Sequence, residues 1–118
     1  MTRKTDRTLV DTVCPLGIKQ RLRWETWIKK ADQHTPMNWR HDDVRISVEQ
    51  PDEIHRNYKE GRVNYVYWKE FKGRKPNERY LKVATCVDEK KKEGFVTTAH
   101  PVPAINDARM YGGEKLWP

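Results

Sequence analysis

From about residue 51 onward the apolar residues of this chain recur at every second position, whereas before it they recur every third or fourth. This change of period constrains the fold more than any other feature. Residues 62–71, RVNYVYWKEF, are rich in aromatic and β-branched types, with Val63, Tyr65 and Tyr67 alternating against Asn64, Val66 and Trp68. Residues 79–87, RYLKVATCV, place Leu81, Val83, Thr85 and Val87 on one side, and residues 95–100, FVTTAH, make a third run. With Ile54–Tyr58 as a short edge strand, these segments predict four strands. The turns between them are short and carry Gly61, Gly73 and Gly94, so consecutive strands are expected to pair antiparallel.

Ahead of the strands the spacing is helical. Trp24, Trp27, Ile28 and Ala31 fall at i, i+3, i+4, i+7 and predict a helix over residues 20–33, stopped before Pro36. Residues 42–50, DDVRISVEQ, predict a second helix, with Asp42 and Asp43 at its N-terminus and Pro51 as its stop. The expectation is an α+β domain of two N-terminal helices followed by a four-stranded antiparallel meander. Residues 1–18 read as an N-terminal arm with Leu9, Val10 and Val13 available to dock, 19–105 as the folded domain, and 106–118 as a C-terminal tail.

The chain has 118 residues and a net charge of +7, which suits one domain with a basic surface and points toward a polyanionic partner. Cys14 and Cys86 lie too far apart in sequence for thiolate zinc spacing and are expected to be reduced, Cys86 as a small core residue. No apolar run is long enough to span a membrane, and no leader pattern opens the chain, so a cytoplasmic protein without a membrane partner is expected. No phosphate loop, dinucleotide fingerprint, nucleophile elbow or zinc-hydrolase motif occurs, and neither a cofactor nor a metal is expected.

Four histidines could move protons near neutral pH. His34 follows the first helix and His100 ends the last strand beside Thr98, whereas His41 and His55 read as surface residues. Cleavage of a phosphodiester without a metal needs a base, an acid and cations around the phosphate. Arg79 and Lys82 on the third strand, with Lys72, Arg74 and Lys75 in the loop before it, supply the cations.

The segments QHTPM (33–37), DDVRISVEQPDEIHRN (42–57), NYVYWKEF (64–71), RYLKVATCV (79–87) and GFVTTAHPVPAI (94–105), taken in order, resemble the barnase–EndoU–colicin–RelE ribonuclease-like superfamily, in particular its phage-encoded branch. That resemblance implies metal-independent RNA cleavage by 2′-hydroxyl attack, often by toxins of mobile elements, with an antitoxin or immunity protein as a further partner and tRNA among the targets. It places a catalytic histidine at His34 and a threonine at Thr98, with His100 standing where the family has an aromatic residue. Arg79 or Lys82 matches the family's basic residue, and Arg56 is a candidate phosphate contact. Tyr67 or Trp68 would stack a base. The alternative on the same scaffold is a non-catalytic RNA- or protein-binding module.

Overall fold

The computed structural model describes residues 7–33, 39–111 and 113–118. It corrects the expected architecture. The elements run β1 (Thr8–Val13), β2 (Lys19–Arg23), α1 (Trp24–Gln33), α2 (His41–Glu49), β3 (Glu53–Lys59), β4 (Arg62–Glu70), β5 (Tyr80–Asp88), β6 (Glu93–Val102) and β7 (Glu114–Trp117). They build one seven-stranded sheet in the order β1-β2-β6-β5-β4-β3-β7. Neighbours pair antiparallel except β2 with β6, which run parallel. The sheet is therefore mixed and wider than a four-strand meander, and the two helices follow two strands instead of leading the chain.

Each difference has a physical reason. The segment read as an arm supplies β1, whose Val10 is buried while Val13 stays 49% exposed. Residues 20–23, QRLR, read as the start of the helix expected over 20–33, because Trp24 and Trp27 continue a helical spacing. They form a strand instead, exposed and buried in strict alternation, with Gln20 and Leu22 inward. Gln20 is a polar residue in an apolar position, and its partners make this possible. Its amide nitrogen donates to the Tyr67 hydroxyl and to Thr85 Oγ1, each at 3.0 Å, while Thr85 Oγ1 donates to the Tyr65 carbonyl at 2.9 Å. These bonds pair the amide nitrogen, while Gln20 Oε1 is buried without a hydrogen-bond partner among the described residues. At the other edge, EKLW forms β7 on β3, so Ile54–Tyr58 is not an edge strand.

The helices lie on one face of the sheet. Val44 and Val48 of α2 are buried against it, and the Asp43 carboxylate accepts the Arg40 backbone N–H at 2.8 Å, closing the first turn of α2. That face holds the core: Leu22, Ile54, Tyr67, Leu81, Val83, Val96 and Ala99. The middle strand β5 shows the division most clearly. Leu81, Val83, Thr85 and Val87 are buried, whereas Lys82, Ala84 and Cys86 are half-buried on the opposite face. Cys86 therefore stands on the helix-free face instead of in the core, and both cysteines are free thiols. No described helix is long and apolar enough to cross a membrane.

A β-bulge in β6 shifts the strand's alternation. Thr85 faces Val96 and Val83 faces Ala99, so Thr97 and Thr98 together oppose Ala84. Strict alternation from Val96 would put His100 on the helix face. The bulge returns it to the helix-free face, opposite Lys82.

The parallel junction of β2 and β6 has one tight point. Gly94 pairs with Gln20, and a Cβ there would meet the Cys86 carbonyl oxygen at 2.5 Å and Gln20 Oε1 at 2.9 Å. The carbonyl is sheet backbone and has little room to move. Gly94→Ala is therefore expected to lower stability by about 1–3 kcal/mol, read as a shifted denaturation midpoint at unchanged slope.

Candidate functional site

The helix-free face presents a row of cations across the sheet. Lys19, Arg21 and Arg23 of β2 alternate with buried residues, so all three stand on this face. Cross-strand register adds Lys82 beside His100, and Lys59 beside Arg62 at the β3–β4 turn. A groove of about 510 Å³ runs between Asn57, Lys59, Asn64, Lys82, Thr97 and His100. Lys82 is its most constrained cation. Its ammonium lies 5.1 Å from the centre of the Trp68 ring, and the pKa is lowered, first by burial and then by the nearby charge of Lys59. An anion placed here would offset both effects.

Of the residues singled out from sequence, Lys82, His100 and Thr98 meet at this groove. Thr98 sits in the bulge and also borders a small gap beneath Trp27. Its buried Oγ1 has no hydrogen-bond partner among the described residues. The other candidates lie elsewhere. Arg79 precedes β5 and pairs with Glu70 at 3.2 Å. Arg74 stacks 3.9 Å over the Trp39 ring and stands 3.8 Å from Asp43. Lys72 and Lys75 are exposed in the β4–β5 loop. Tyr67 is fully buried under Gln20, and Trp68 is 2% exposed beneath Lys82 and His55, so neither offers a ring face to a base. His34 lies outside the described residues.

Arg56 is engaged by protein carboxylates. Its Nε and Nη2 donate to the two Glu89 oxygens at 3.0 and 2.9 Å, and Nη1 lies 3.6 Å from Glu114. Tyr65 also donates to Glu89, at 2.7 Å, and burial and that carboxylate push its pKa up to about 12. This cluster ties the β5–β6 turn to β3 and β7, which is a structural task.

Sequence reasoning missed two features. His55 was expected at the surface but is 5% exposed, with Nε2 2.8 Å from Glu53 and its ring packed on Trp68. Beside it lies a cleft of about 570 Å³, closed by Asn106, Asp107 and Arg109 from the segment that crosses from β6 to β7. Glu53 and His55 are two apart on a strand and so share a face, but their burial depends on that later segment. The second feature is Phe95, which is 47% exposed on the helix-free face. Among the described residues no group of His, Cys, Asp or Glu is arranged to hold a metal ion.

Glu89 supplies a pH test of the Arg56 cluster. Its pKa is lowered, chiefly by the hydrogen bonds from Arg56 and then Tyr65. A carboxylate whose folded pKa lies below its unfolded value stabilises the fold above the unfolded value, and that contribution fades as pH falls through the folded one. Wild type should therefore lose thermal stability more steeply below about pH 4.5 than Glu89→Gln does, as followed by circular dichroism.

Comparison of the chain with family descriptions, with curated proteins and with solved structures finds no match to any of the three.

Proposed function

We propose that this chain binds RNA across the helix-free face of its sheet, with Lys82 and His100 at the centre of the contact. The observation that carries this reading is the clustering of cations on one side of the sheet. Lys19, Arg21 and Arg23 flank Lys82 on one side, Lys59 and Arg62 on the other, and the helices occupy the opposite face. Asn57, Asn64 and Thr97 line the same groove. They supply hydrogen-bonding groups suited to ribose hydroxyls and base edges. A polyanion gains from each cation it neutralises, and most from one held back from water.

A second reading, cleavage of the bound RNA, rests on one adjacency: His100 stands opposite Lys82, with Thr98 bordering the same groove. In that reaction the ribose 2′-hydroxyl attacks the neighbouring phosphorus. A base takes the hydroxyl proton, the bond to the 5′-oxygen breaks, and an acid protonates the departing oxygen. In this reading His100 exchanges one of these protons and Lys82 neutralises the crowded phosphate. The test incubates wild type and His100→Ala with total RNA in excess chelator. Fragments with 2′,3′-cyclic phosphate ends from wild type alone would support cleavage. RNA bound but intact in both samples would leave the binding reading and remove the catalytic one.

The binding reading is checked by salt titration. Lys82→Met keeps the stem over Trp68 and removes one charge. It should weaken binding to single-stranded RNA and reduce the slope of log affinity against log salt by about 0.7. An unchanged slope would remove Lys82 from the contact. The lowered pKa of Lys82 adds a second signature. Wild-type affinity should decline on the alkaline side at a lower pH than loss of an ordinary lysine charge produces, and Lys82→Met should lack that early decline.

A further inference from the structure

A second cleft, of about 290 Å³, opens on the same face where β2 meets β6, and nothing above assigns it a role. Its lining combines three basic residues and two carboxylates, Asp88 and Glu93, with one ring, Phe95. Arg21 and Phe95 are direct partners in the parallel register, while Phe95 also faces Cys86 across the antiparallel pair. Lys19 and Arg23 stand on either side of Arg21 along β2, and all three basic residues line the cleft.

Phe95 is the unusual member. An apolar ring at a strand position next to the core would ordinarily be covered, yet it is 47% exposed while its neighbour Val96 is 2% exposed. Same-face residues of a strand repeat at roughly 6.6 Å, and Lys19, Arg21 and Arg23 therefore form a straight, evenly spaced row of cations. A flexible chain with one negative charge per repeating unit and one flat ring per unit fits such a row beside such a ring. A single strand can turn a base away from its backbone onto an aromatic side chain, whereas a duplex keeps its bases paired and stacked. Carboxylates close to the row set its limits, and the nearest in the register is exposed Glu93, the parallel partner of Lys19. Asp11 lies 3.8 Å from Arg21, and both side chains are about 60% exposed (62% and 59%), so a phosphate can displace this solvent-screened pair. Asp88 is already engaged by the backbone N–H groups of Lys90 and Lys91.

We infer that this cleft is a nucleotide subsite for single-stranded nucleic acid, in which Phe95 stacks one unpaired base while Lys19, Arg21 and Arg23 follow the phosphates on either side. The inference rests on the RNA-binding reading and deepens it, because it specifies that the strand is unpaired. The subsite and the Lys82–His100 groove are separated by roughly 16 Å along β6, so one strand of a few nucleotides can occupy both.

The experiment measures fluorescence anisotropy of a labelled oligouridine, an abasic oligomer of the same length and a duplex of the same length. The proteins are wild type, Phe95→Ala, Phe95→Trp and Lys82→Met. Circular dichroism melting establishes that each variant is folded, as expected for a half-exposed side chain. Phe95→Ala should bind oligouridine about five- to 150-fold more weakly than wild type. It should bind the abasic oligomer and the duplex as wild type does, and Phe95→Trp should restore oligouridine binding. If Phe95→Ala binds oligouridine like wild type while Lys82→Met is weakened, the subsite is overturned and the RNA-binding face stands. Equal weakening of all three probes by Phe95→Ala would also overturn base stacking. If wild type binds none of the probes at low salt, both readings fall together.

Discussion

Everything about this sheet depends on the alternation of β5, its middle strand. Leu81, Val83, Thr85 and Val87 go inward, while Lys82, Ala84 and Cys86 face outward. With three strands on each side, the faces of β5 become the faces of the whole sheet. The inward set and its neighbours Tyr67, Ile54 and Val96 bury enough apolar surface to hold two short helices. The outward set cannot attract a second layer of helices, because it centres on Lys82 and is flanked by Lys59, Arg62 and the β2 cations. The same constraint that closes one side of the protein leaves the other side basic, with Trp68, Val66 and His55 buried toward its β3 end.

Buried polar groups extend this division outward from the centre. Gln20 reaches from β2 to Tyr67 on β4 and Thr85 on β5, passing over β6 on the helix side. Two donated hydrogen bonds inside the core thus bind the parallel strand to the antiparallel group. At the other end, Glu89 gathers Arg56 and Tyr65, and Arg56 reaches Glu114 of β7. On the helix side Arg56 is held between Glu89 and Glu114, and Arg45 between Asp42 and Glu49. The cations on the helix-free side stand in a row, which is why the second set and not the first is read as the contact surface.

How much of this was legible in the sequence differs from element to element. The period-two runs at residues 62–71 and 79–87 mark strands because their inward residues are apolar and their spacing is unbroken. β2 was not legible, since one of its two inward residues is Gln20, and nothing local to KQRLR shows that Tyr67 and Thr85 will accept from its amide nitrogen. β7 is four residues long and carries no pattern of its own; it is a strand because β3 offers an edge. Of the site, Lys82, His100 and Thr98 could be nominated from sequence, and the fold brings them to one groove. Tyr67 and Trp68 could not be told apart from exposed aromatics, because both faces of β4 read as apolar. Phe95 was visible as a strand residue only, its exposure being fixed by the register with Arg21.

The bulge at Thr97 and Thr98 has a consequence for how the chain can change over generations. It acts as a phase shift in β6: Val96 and Ala99 both count as inward residues although they are three apart. Deletion of either threonine would restore a plain alternation. Val96 and Ala99 would both stay inward and His100 would stay on the helix-free face, because the residue lost is the surplus one; a deletion elsewhere in β6 would instead exchange the sides beyond it. A substitution at either threonine leaves the phase intact. The sides of β6 therefore survive both a substitution at these two residues and the loss of one of them, and this stretch of the gene should accept a one-residue deletion more readily than the regular parts of the strand do.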